Sequence, residues 1–310
     1  MKTPIVPAVV LGAGLSGFLL LRPWIATLAA PVPPLVQSGG APGLPLVVPA
    51  APGGAGSGAV VGYPDAADYA VAGADPTAGL PDGWHFLPAV EDEVLAATDH
   101  ARASARLPGL ARDEGLRTAA RMHARDMAVR GFFDHVNPDN RTPTDRVALL
   151  ARQYVGSVGE NIARRASETG SGGTSASALV AQWMGSPADR ENMLRPEYTV
   201  VSIGIFAAAR EIFAVQVFGE RYAVLEASLP LTVPPGAAVT LRFQREARLP
   251  LPNGYDLWQS ERGAAAAARA PLVDGFKAPR VPGQYRVRFY FPKAGGSRIA
   301  DGPELVVGGG

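Results

Sequence analysis

The rhythm of hydrophobic and polar positions changes three times along this 310-residue chain. After Met1-Lys2-Thr3, Ile5 to Leu21 carries no charge, Arg22 interrupts, and Trp24 to Ala30 is apolar again. A positive start, an apolar core and small residues, in that order, read as a secretory signal, with Leu28-Ala29-Ala30 at the cleavage position. The run is slightly shorter than the roughly 20 residues that cross a bilayer. An uncleaved anchor, with Arg22 reaching to the interface, fits the same residues. Both readings of residues 1–30 export the rest of the chain. Residues 31–83 then hold ten prolines and eleven glycines and keep neither a helical nor a strand period. Such a stretch buries too little surface to offset its ordering entropy, so 31–85 is expected to be a disordered linker. Asp65, Asp68, Asp75 and Asp82 keep it solvated, and a wall-spanning stalk would share its composition.

At Val90 a 3.6-residue period begins. Val90, Val94, Leu95, Thr98, Ala101 and Ala105 fall on one helical stripe, with Glu91, Asp92 and Glu93 at its start, where the helix dipole favours negative charge. A second helix is predicted from about Asp113 to Arg130 and ends at Gly131. A third starts at Thr142-Pro143, and a fourth runs from about Ser175 through Trp183. Two apolar runs of strand length, Thr199–Ala207 and Ile212–Phe218, joined by Ala208-Ala209-Arg210-Glu211, predict a hairpin. Helices on an antiparallel sheet make an α+β layered domain over 86–220.

After Glu220 the period falls to two. Val239, Leu241 and Phe243 alternate with polar neighbours, and Val287, Phe289 and Phe291 alternate with Arg286, Arg288 and Tyr290. Tyr255–Trp258 and Leu305–Val307 are further short strands, and Ala264–Ala268 reads as a loop or short helix. Turn signals at Pro234-Pro235-Gly236, Pro252-Asn253-Gly254 and Pro282-Gly283 separate the strands. The pattern predicts a small all-β, immunoglobulin-like sandwich over 221–310.

Composition narrows the chemistry. Cysteine is absent, so there is no disulfide framework, thiol nucleophile or Cys-ligated metal. A net charge of +1 gives no electrostatic footprint for nucleic acid. Residues 221–310 carry 12 basic and 7 acidic side chains. That excess would suit an anionic envelope polymer or lipid surface, or be no more than a solvated arginine-rich sheet face, the expected reading. Any histidine site must use His85, His100, His123 or His135.

Seven short motifs occur in order: His123-Ala-Arg-Asp-Met127, Phe132-Phe-Asp-His135, Thr142-Pro-x-x-Arg146, Gly159-Glu-Asn-Ile-Ala163, Trp183-Met-x-Ser-Pro187, Arg190-Glu-Asn-Met-Leu194, and Tyr198-Thr…Gly204-Ile…Gln216-Val-Phe-Gly219. Together they resemble a bacterial CAP domain, the SCP/PR-1-like family of cysteine-rich secretory, antigen 5 and pathogenesis-related proteins, over about residues 88–220. The resemblance implies an α-β-α sandwich, usually secreted, that binds lipids, small apolar ligands or other proteins. It also implies a surface cleft with two histidines and acidic residues, which in some members bind a divalent metal. His135 matches the first histidine and Glu160 the glutamate beside it. Ser186 stands where many eukaryotic members have a second glutamate, and Asp189 replaces the second histidine.

The cleft set is therefore His135, Glu160, Ser186 and Asp189. One imidazole and two carboxylates, His135, Glu160 and Asp189, would hold zinc less firmly than two imidazoles and tolerate Mn or Ca better. Each residue also has a structural reading. His135 could cap the chain after the second helix, Glu160 could open a short helix with Asn161 and pair with an arginine, and Asp189 could be an ordinary helix-start acid. His123 is read as a buried core histidine. No G-x-S-x-G elbow and no H-E-x-x-H occurs. The function expected is a secreted or cell-surface binding module. The alternative is a metal-dependent hydrolase in which the ion activates water and Glu160 is the base.

Overall fold

The computed structural model describes residues 62–63, 65–167, 174–244, 250–259, 263–266 and 268–308. The expected signal or anchor and most of the expected linker lie outside them. The elements in chain order are α1 (Ala66–Ala74), β1 (His85–Phe86), α2 (Pro88–Ser104), α3 (Glu114–Arg130), α4 (Pro143–Leu150), β2 (Tyr154–Ala166), α5 (Ala176–Gly185), α6 (Pro187–Met193), β3 (Val200–Ala208) and β4 (Glu211–Val224). There follow β5 (Thr232–Val233), β6 (Ala238–Thr240), β7 (Gly254–Gln259), β8 (Ala264–Ala265), β9 (Ala270–Pro271), β10 (Gly275–Lys277), β11 (Gly283–Lys293) and β12 (Gly296–Val307).

The middle of the chain folds as three layers. β1, β3, β4 and β2 pair antiparallel in that order. One face is covered by α2, α5 and α6, through Val94, Leu179, Trp183 and Met193 against Val201, Ile203, Ile205 and Phe218. The other is covered by α3 and α4, through Leu116, Ala120, Met127 and Val147 against Phe206, Phe213 and Val217. Covering both faces explains why β3 is buried at every position and reads as a continuous apolar run rather than an alternation. Local chemistry sets the helix ends. The Asp113 carboxylate accepts from Leu116 N at 3.1 Å, Thr142 and Asp145 form a reciprocal capping box, and Gly131 closes α3 at φ 67. At Gly204 α3 lies so close that a Cβ would sit 2.3 Å from Arg121 N.

Three departures from the sequence reading have physical causes. First, part of the expected spacer is packed: Tyr63, and Ala66 and Tyr69 of α1, lie against Met122 and Leu149, while the residues between α1 and β1 stay mostly exposed. A nine-residue, alanine-rich helix with one large buried side chain, Tyr69, leaves almost no period to detect. Second, Gly159-Glu160-Asn161 lies inside the long strand β2, not at the start of a helix. Its glycines and polar residues hide the strand, whose inward positions carry the site. Third, β4 runs through the expected boundary at 220, and Val155, Tyr222 and Ala223 join the core of the following region.

That region is all-β and two-layered, as predicted in outline. β12, β11 and β7 form one layer and the antiparallel β6–β10 pair the other, with Val239, Leu241 and Phe276 facing Val287, Phe289 and Leu305. Ala264–Ala265 is the short strand β8 rather than a loop or helix. β12 also pairs with β2 at Asp301 and Gly156, which makes one ten-stranded sheet. The arginine face of β11 is not solvated. Arg286 is buried between Asp145 of α4 and Glu304. Arg288 pairs with Asp256 at 2.5 Å and lies 4.1 Å over the Trp258 ring. No helix among the described residues is long and apolar enough to cross a membrane.

Candidate functional site

The site forms where β2, the loop 131–142 between α3 and α4, and α6 converge. Glu160 points from β2 into the helical layer and is almost wholly buried. The loop brings His135 to it: the imidazole Nδ1–H donates to Glu160 Oε1 at 2.9 Å. On the other side Arg146 of α4 donates from Nη2 to Glu160 Oε2 at 2.6 Å. Its Nη1 donates to two main-chain carbonyls, His135 O and Arg141 O, each at 2.8 Å. Behind the carboxylate lies His123, with no exposed surface and with Nε2 3.7 Å from Glu160 Oε1. That nitrogen donates to Asp134 O at 3.0 Å, which fixes the tautomer, and its buried Nδ1 has no hydrogen-bond partner.

The loop owes its shape to local side chains. Asn137 Oδ1 accepts from Asp139 N at 3.1 Å and Arg141 N at 2.9 Å, while its amide donates to Asp126 Oδ2 at 3.0 Å. Arg130 grips Asp139 at 2.6 and 3.0 Å. Across the cleft, α6 is held to β2 by amides. Asn192 donates to Glu160 O at 3.2 Å and Asn161 Oδ1 at 2.9 Å, and Asn161 donates to Asp189 O at 3.0 Å. Gln216 continues this buried chain to Thr98 at 2.8 Å. Asp189 stands in the first turn of α6, half-buried, with a hydrogen bond from Ser186 and an electrostatic attraction to His135. All four expected cleft residues are thus brought together.

The charges follow from this packing. Burial alone would raise the Glu160 pKa, but Arg146 first, then His123 and His135, hold it at about 2. Burial, reinforced by Arg146, pushes His123 down to about 3, so it is neutral. Burial opposes the charged form of His135, yet the hydrogen bond and charge of Glu160 raise its pKa. Burial raises Asp189 against the pull of Ser186 and His135.

Two participants escaped the site reading. Arg146 was visible in Thr142-Pro-x-x-Arg146 but had no assigned role, and His123 was set aside as core. It is core, and it also forms the back wall behind Glu160. Among the described residues no group of three or more histidine, aspartate and glutamate side chains is arranged to hold a metal ion. Both Glu160 oxygens are already engaged, so the residues present do not fit the divalent cation that the resemblance implied.

Part of the chain is similar to known proteins. Residues 95–218 match the family model described as CAP, the cysteine-rich secretory protein family. The uncharacterized protein YkwD of Bacillus subtilis strain 168 is 30% identical over 132 residues, which are 43% of this chain and 48% of that protein. This chain therefore spans about half the length of the curated relative it matches. An outer surface protein of Borrelia burgdorferi superposes with a TM-score of 0.38 at 18% identity, over 44% of this chain and 98% of that one. An extracellular SCP-domain protein of Bacillus anthracis strain Ames gives 0.37 at 26% identity, over 43% and 40%.

Proposed function

We propose that the bacterial CAP domain carried at residues 95–218 is an exported binding module, which presents His135 and Asp189 to a ligand or partner over an internally neutralised floor. The observation behind this reading is the double engagement of Glu160, at 2.9 Å by His135 and 2.6 Å by Arg146. A general base must reach the proton it removes and bind it readily. A buried carboxylate with a pKa near 2 and both oxygens occupied does neither. This argues against Glu160 as the base of a hydrolase and supports the binding reading. Lipids, small apolar ligands and envelope components are the ligand classes that the family resemblance suggests. The run from Ile5 to Leu21 behind Lys2 supports export.

Native mass spectrometry of the exported protein, compared with the His135→Ala variant, tests the reading. A co-purifying lipid, small molecule or wall fragment present on the wild type and lost from the variant is the expected result. Metal-dependent turnover of peptide or ester substrates, abolished in the same variant, would replace the binding reading with the hydrolase one.

A further inference from the structure

We infer that Arg146 is the resident cation of this cleft, a guanidinium that fills the place of a metal ion and fixes the loop that carries His135. The argument rests on donors and acceptors. One side chain, almost wholly buried, gathers three oxygens: Glu160 Oε2 at 2.6 Å, His135 O at 2.8 Å and Arg141 O at 2.8 Å. A carboxylate and two main-chain carbonyls are what a hard divalent cation collects when it organises a loop. Arginine can do the same because its planar fork offers several donors in fixed directions and stays charged when buried.

The contacts also say what the cation organises. Both carbonyls belong to the segment 131–142, one to His135 itself. The carboxylate is the one that receives the His135 imidazole. Arg146 thus holds His135 at its main chain directly and at its ring through Glu160, which makes it a positioning residue. The neighbours of Glu160 leave its carboxylate no free oxygen for a second cation. Glu160 Oε1 is taken by His135, and the nearest other imidazole nitrogen, His123 Nε2, is committed to Asp134 O at 3.0 Å. A divalent ion would have to displace the guanidinium before it could reach the carboxylate, and a buried arginine has nowhere solvated to go. The inference is distinct from the proposed function. A metal-free cleft could still turn out to bind nothing, and a binding cleft could still turn out to take a metal.

Calorimetry and metal analysis on the purified protein test it, with Zn²⁺ and Mn²⁺ as the probes. The wild type should take up neither ion in a manner that depends on Glu160. Arg146→Met, which removes the charge and roughly keeps the volume, should gain Zn²⁺ affinity by about tenfold or more, because an anionic carboxylate and freed carbonyls are left without a cation. Adding Glu160→Gln to Arg146→Met should abolish the gain. One equivalent of metal on the wild type, lost on Glu160→Gln, overturns the inference, and so does a folded Arg146→Met with no gain. If Arg146→Met does not fold, the wild type decides: stoichiometric Mn²⁺ should leave the His135 ring resonances sharp, and selective broadening of them overturns the assignment.

Discussion

Glu160 and His123 face each other with almost no exposed surface, and each is held in one charge state by its neighbours. Their pH dependence therefore has a definite sign. Glu160 has a folded pKa near 2, below the ordinary 4.5, so its contribution is present above 4.5 and is lost as pH falls through about 2. His123 has a folded pKa near 3 against 6.5, so the unfolded chain takes up a proton below 6.5 that the folded chain refuses. Stability from this group is full above 6.5 and drains away towards pH 3, at about 1.4 kcal/mol per pH unit. Urea unfolding of wild type and His123→Gln at pH 6.5 and 5.0 should show the wild type losing about 2 kcal/mol relative to the variant. An unchanged difference would mean that His123 takes up its proton in the folded protein as readily as in the unfolded chain. Removing one partner of the buried pair is a larger insult. Glu160→Gln should cost about 3–5 kcal/mol in the same measurement at neutral pH, because the buried Arg146 guanidinium loses the carboxylate that balances its charge.

At the scale of elements, α1 is a clasp. Tyr63 O accepts from Arg141 at 2.7 Å and its hydroxyl accepts from Arg125 at 2.6 Å. Tyr69 is fully buried below the Arg141 guanidinium. Its hydroxyl has no hydrogen-bond partner, which separates the worth of the ring from that of the oxygen. Tyr69→Ala should cost about 3–5 kcal/mol by the lost ring and the cavity, and should open residues 62–80 to limited proteolysis. Tyr69→Phe should be neutral or slightly stabilising, since it deletes an unsatisfied polar atom. The long helices were legible because each carries a full apolar stripe with a cap: Asp113 before Leu116, Thr142 before Pro143. β3 was legible as an apolar run. β2 was not, because Gly156, Ser157, Gly159, Glu160 and Asn161 interrupt its pattern, and the strand is polar where it builds the site. His135 and Glu160 were reached through a motif resemblance. That Arg146 completes them depends on a contact between α4 and β2, which no local pattern encodes.

At the scale of the molecule, the two cores share a sheet and a set of charges. β12 meets β2 at Asp301 and Gly156. Arg152, just after α4, donates to Glu304 O at 2.6 Å and Leu229 O at 3.0 Å. Arg286 of β11 lies between Asp145 and Glu304. Of the basic side chains of residues 221–310, Arg221, Arg286, Arg288 and Arg298 are engaged in ion pairs within the chain. Arg286→Ala should lower the stability of both regions together by about 3–5 kcal/mol, seen as one earlier denaturant transition. Two separated transitions in the wild type would show that the regions fold independently.

All three scales meet at His135, whose ring is set by Glu160, whose main chain is set by Arg146, and whose loop is set by Asn137 and Asp139. An NMR pH titration of the histidine ring resonances in the intact protein reads that arrangement directly. His135 should titrate above 6.5 and return towards it in Glu160→Gln, while His123 stays neutral down to about pH 3. A His135 that titrates at or below 6.5 and ignores Glu160→Gln would contradict the account.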